Sequence, residues 1–230
     1  MGVVVSLKSI SLKKLLQLCG AEEQRLVSEI RNDIRLDIRR QQGKTSGGGD
    51  FHPPFWRDAK NFVFEGVDLY DATEQRIAKD KNKKRLYPDL RDGFLSWWDK
   101  ERMTTNEKIG ILENSIHNHY PVPHFDLVLK VDNLLCLQVG NDISKVIYPY
   151  FPEIPSLTPK WARVGLWLME QALSEFSITE MKILDVIRGK DYSQNSHPLT
   201  GKEQQIFDDR YSIILELWNS LKKEYPDFQE

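Results

Sequence analysis

Three of the five histidines, His117, His119 and His124, fall within eight residues of one another, and Asp126 follows. Imidazole nitrogens and a carboxylate are suitable ligands for zinc or a similar divalent ion. Alternate residues of an extended segment point the same way, so His117 and His119 can face a common centre. Pro121 and Pro123 run through the same stretch beside Asn118 and Tyr120, which is loop chemistry, and a histidine in a surface loop needs no ligand. His117, His119, His124 and Asp126 are therefore the candidate metal site, and a divalent metal is the alternative to a protein with no cofactor.

Other sequence motifs for chemistry fall away. Gly43-Lys44-Thr45 resembles the end of a phosphate-binding loop, but Ile38 stands where another glycine is needed and the preceding segment reads as a helix. No Gly-x-Ser-x-Gly, Cys-x-x-Cys or His-Glu-x-x-His occurs. Asp208 and Asp209 are neighbours on a helix and diverge, so they share no acid/base role. Arg188-Gly189-Lys190 puts two cations at a strand end, and reads as a solvated turn.

The elements that would position these groups follow from periodicity. Residues 21–42 form a helix with Leu26, Ile30, Ile34 and Ile38 at four-residue spacing. Arg31, Arg35 and Arg39 flank that stripe on one side; Glu29, Asp33 and Asp37 flank it on the other. The arginine row with Ile30, Ile34 and Ile38 is a candidate interaction surface. Self-pairing through it would be parallel, because that sets acidic against basic rows. A glycine-rich linker, 43–50, separates this N-terminal leader and helix, 1–42, from a single α+β domain, 51–230.

Within that domain the segment Phe51 to Trp56 reads as extended. Helices are expected from Asp71, with Glu74 three residues on, and from Pro88 past Glu101. Trp97 and Trp98, being adjacent, cannot both face one direction, so one of them is expected to be exposed or to meet another element or a partner. Residues 104–124 read as irregular. Strands at 126–131, 134–139 and 145–151 form a three-stranded antiparallel meander, and 181–188 a fourth strand. Thr158 with Pro159 opens one helix, and Thr200 with Glu203 the last. The expected class is α+β: the meander and fourth strand covered by helices, with a helical N-terminal region.

Composition bounds the function. The chain has 230 residues, a formal net charge of −2 and 40% hydrophobic residues, which excludes a disordered, collagen-like or disulfide-scaffold protein. Residues 1–108 carry a net charge of +4 and residues 109–230 a net charge of −6. An anionic partner would meet the N-terminal half, where Lys79 to Arg85 is the densest basic run. Neither half matches a dedicated nucleic-acid binder, so nucleic acid is a minor partner class. No apolar run is long enough to span a bilayer. The two cysteines, Cys19 and Cys136, make no disulfide framework, and a cytoplasmic location is the simplest reading.

The order helix, three strands, helix, strand over about residues 88–188 resembles the core of the PD-(D/E)XK nuclease superfamily. That resemblance implies an acid on one strand and an acid-x-lysine on the next, holding magnesium. The central strands carry Leu135-Cys136-Leu137-Gln138 and Ile147-Tyr148-Pro149-Tyr150 instead, so the implied site is inactive. The leading expectation is a non-enzymatic interaction or regulatory protein, and the alternative is a metal-dependent hydrolase or nuclease-like protein.

Overall fold

The computed structural model describes residues 7–44, 51–104, 109–111, 117–140 and 143–228. Ser9–Ser11 is strand β1, and Ser11 caps helix α1, Leu12–Gly20, its Oγ accepting from the Lys14 amide. Helix α2 is Glu23–Gln41, α3 is Pro53–Glu65 and α4 is Leu69–Lys79. A 3₁₀ turn, Lys81–Arg85, leads into α5, Tyr87–Met103. Strands β2 (Ile109–Ile111), β3 (Asn118–Val122), β4 (Leu127–Val131), β5 (Leu135–Val139) and β6 (Ile143–Tyr150) follow. Then come α6 (Pro159–Ala172), β7 (Met181–Asp185), β8 (Lys190–Ser193) and α7 (Glu203–Leu221).

The class is α+β, as expected, but the meander is corrected. Strands β4 and β5 belong to different sheets: β4 lies between β1 and β3, while a five-stranded sheet runs β2-β5-β6-β7-β8. Only the β5–β6 pair of the expected meander forms. Asn133, left-handed at φ 59°, redirects the chain between β4 and β5. Burial gives the physical reason. Leu134 to Leu137 is buried without a break, the mark of a strand covered on both faces. A half-buried meander strand would alternate instead.

Strands β6 and β7 are parallel, Val146 to Tyr150 against Met181 to Asp185, with α6 as the crossover. The two faces of the sheet close two interiors. Cys136, Val146, Tyr148, Met181 and Ile183 pack with α1, α6 and α7. Leu135, Leu137, Ile147, Leu184 and Val186 pack with α3, α4 and α5. The helix–strands–helix–strand order survives in this five-stranded sheet, with β2 as the first strand and β3 and β4 as an excursion between β2 and β5.

Other expectations change too. Pro53 and Pro54 start helix α3, because proline suits the first helical turn, rather than an extended segment. Asp68, not Asp71, caps α4, accepting from the Tyr70 and Asp71 amides. Strands β2 and β3 lie in the stretch read as irregular. Trp97 and Trp98 are both buried, within the interior shared by α3, α4 and α5, so of the expected alternatives it is contact with another element, not exposure, that holds. Thr158 caps α6 as expected. At α7 the Glu203 carboxylate accepts from the Thr200 and Gly201 amides, which is the glutamate half of the expected capping box.

Helix α2 is not a tethered arm. Ile30 and Ile34 are fully buried and share one interior with α1, α6 and α7. The strand before it, β1, pairs in parallel with β4. The leader and helix thus build the same core as residues 51–230. Most of the expected linker, residues 45–50, lies outside the described residues.

Candidate functional site: a cationic groove at the strand ends

In open sheets with parallel strands, ligands gather outside the carboxyl ends of the strands. Here β6 ends at Tyr150 and runs on into Pro152, Glu153 and Ile154, which form one wall of a groove of about 400 Å³. The opposite walls come from α1 (Lys13, Gln17), α2 (Arg25), the residue preceding α3 (His52) and the 3₁₀ turn (Arg85). Lys13 and His52 also border an adjoining lobe of about 170 Å³, with Ser11, Trp56, Asp132 and Tyr148.

The wall is held in place by charge. Arg85 grips Glu153 with both nitrogens, each at 2.6 Å. Arg188 reaches from the end of β7, donating to the Glu153 carbonyl at 2.6 Å and to both Asp185 oxygens at 3.0 Å. Burial pushes the Asp185 carboxyl up, against the pull of Arg188. The turn read as solvated is therefore a brace for this wall.

His52 stacks on Phe151, ring centres 4.8 Å apart and ring planes nearly parallel. Burial, reinforced by nearby Lys13, pushes the imidazole down to about 4. The ring is neutral at pH 7 and offers an N–H without a charge. Its depressed value means that the unfolded chain binds the extra proton first. Stability from this group is complete above about 6.5 and is lost as pH falls toward 4. We expect NMR to place the His52 titration midpoint at about 4; a midpoint near 6.5 would show a solvated ring.

A second charged centre lies at the opposite end of the sheet. The buried carboxylate of Glu101, near the end of α5, accepts from Lys145 Nζ of β6 at 2.6 Å and Lys182 Nζ of β7 at 2.7 Å. Burial alone would raise this carboxyl, but the two ammonium groups outweigh it and hold it below the usual range. Lys182 also meets Asp191 of β8 at 2.9 Å. Every charge here is matched within the fold.

The histidine set does not converge. His117, His119 and His124 are exposed, and Asp126 is 84% exposed in an ion pair with Lys8 at 2.7 Å. His119 sits opposite Lys130 in the β3–β4 register, and His124 takes a left-handed φ of 72° in the turn. Among the described residues no three His, Cys, Asp or Glu side chains are grouped to hold a metal ion.

The expected interaction surface is divided. Its apolar half, Ile30 and Ile34, is interior, and Ile38 packs partly against that interior. Of the arginines, Arg31 pairs with Glu224 at 2.9 Å and Arg35 lies over the Tyr225 ring. Arg39 is exposed. The acidic row faces inward, with Asp33 held by Lys14 at 3.1 Å and Asp37 by Arg40 at 3.1 Å. The basic run before α5 is also partly matched, since Lys83 meets Asp80 and Arg85 meets Glu153.

No protein-family model matches the chain, and no curated protein is significantly similar to it. No helix among the described residues is long and apolar enough to cross a membrane.

Proposed function

We propose that this protein acts by binding, as an interaction or regulatory protein, rather than by catalysis. One observation carries the reading. The positions of β5 and β6 that face α5, where the resemblance to the PD-(D/E)XK core implies acids, hold Leu135, Leu137 and Ile147. The lysine on that face, Lys145, neutralises Glu101 and is not poised beside a metal-binding acid. The groove around His52, where cations outnumber acids, is open to a ligand.

A protein partner at α2 would meet exposed charge at Arg39, because the apolar stripe is used in the interior. A cytoplasmic setting belongs to the same proposal. Cys19 and Cys136 are buried, and burial pushes their thiols up to about 12 and about 11, so they act as small apolar groups.

The purified chain is expected to leave DNA and RNA uncut in magnesium or manganese. Metal-dependent cleavage that is lost in Asp132→Asn, the acid beside the strand ends, would overturn the reading.

A further inference from the structure

We propose that the groove around His52 is a binding site for a small phosphomonoester. Its phosphate would sit among Lys13, Arg25 and Arg85, and its hydroxyl-bearing ring in the adjoining lobe. The inference rests on the binding reading above and names the ligand class of that groove.

The charge count points to an anion. Lys13, Arg25 and Arg85 line the groove against one acid, Glu153, which Arg85 already engages. They come from α1, α2 and the 3₁₀ turn, so their convergence is a product of the tertiary fold. His52, neutral at pH 7, adds a donor and no opposing charge.

A second observation is independent of charge. The Arg25 Nε is buried and has no acceptor. The guanidinium's contact with Glu29 is made through Nη2 and is long, at 3.5 Å. A buried N–H without an acceptor is costly, and turning the guanidinium into the groove to meet a ligand oxygen would relieve that cost.

The geometry favours phosphate over carboxylate. Cations approaching from three separate elements suit a group with three terminal oxygens, whereas a planar carboxylate offers two. The ligand's other end is specified by contrast. In the second lobe Asp132 and Ser11 supply acceptors, and Trp56 and Tyr148 supply flat walls. An acid there would be repelled by Asp132, while ring hydroxyls would be received.

Calorimetric titration of the full chain tests this with four probes: adenosine monophosphate, ribose 5-phosphate, inorganic phosphate and adenosine. At least one of the two esters should bind saturably and more tightly than inorganic phosphate or adenosine. Whichever ester binds more tightly identifies the nucleoside or the sugar phosphate as the source. Arg25→Gln and Arg85→Gln should each weaken ester binding about tenfold, the loss expected of a charge-assisted hydrogen bond. Arg31→Gln, on the same helix but paired with Glu224, should change it by less than about twofold. Circular dichroism confirms that each variant is folded. Ester binding should also weaken as salt rises.

Absence of saturable ester binding, or affinity unchanged in Arg25→Gln, would overturn the assignment. If no ester binds and nucleic acid stays uncut, the groove assignment fails alone. If the ester binds and is hydrolysed, the groove assignment stands and the binding-only reading fails.

Discussion

Replacing Glu101 with leucine should lower the unfolding free energy by about 3–5 kcal/mol, the usual cost of stranding one side of a buried ion pair. Lys145 and Lys182 each have side chains only 20% exposed, and both point at this carboxylate. Without it, two ammonium groups face each other across β6 and β7, and of the two Lys182 keeps its contact with Asp191. Urea denaturation would show the midpoint falling with little change in slope. Replacing all three residues by apolar ones of similar size should recover most of the loss, because the desolvation cost of the charges goes with them. A triple variant as unstable as Glu101→Leu would show that shape, not charge, is what this corner requires. The pH dependence has a definite sign. The carboxyl of Glu101 is held below its ordinary value of 4.5, so its contribution is present above that pH and is lost as pH falls through the depressed value.

Gly93→Ala should be the most damaging single-methyl substitution. A Cβ at Gly93 would overlap the carbonyl oxygens of Val186 and Ile187, where α5 lies directly on the backbone that follows β7. Gly189 meets the same contact from the other side; a Cβ there would come within 2.6 Å of the Gly93 carbonyl oxygen. Backbone cannot rotate away as a side-chain tip can, so α5 must lift off the sheet. We expect about 3 kcal/mol or more of destabilisation, at the upper end for overpacking. Lifting α5 also withdraws Glu101 from its lysines. Gly66→Ala is the control. A methyl there meets nothing within 4 Å and carries only the cost of a left-handed backbone, about 1–2 kcal/mol. Equal midpoints for the two variants would refute the close-packing account.

The sequence made the helices legible where a local code exists. The stripe Leu26, Ile30, Ile34 marks α2, and Thr158 with Pro159 marks the start of α6. The candidate site was far less legible. The run ending in Arg85 was visible as basic, but Lys13 read as part of a leader and His52 as part of a proline-aromatic segment. Arg25 fell outside the arginine row on α2. No linear signal joins residues 13, 25, 52, 85 and 153, because each comes from a different part of the chain. The histidine cluster had the opposite character: close in sequence, yet exposed and ungrouped in space.

By itself, then, the sequence determined the α+β class, the starts of α5 and α6, the strand segments of the core and the want of an acid-x-lysine on β5 and β6. Those properties follow from side-chain periodicity and capping, which act over a few residues. Tertiary structure decided that β4 and β5 part into two sheets, that α2 spends its apolar stripe on the interior, and that three cations from distant segments meet beside His52. Strand partnership and charge convergence depend on which surfaces exclude water together, and that is settled only when the whole chain has packed.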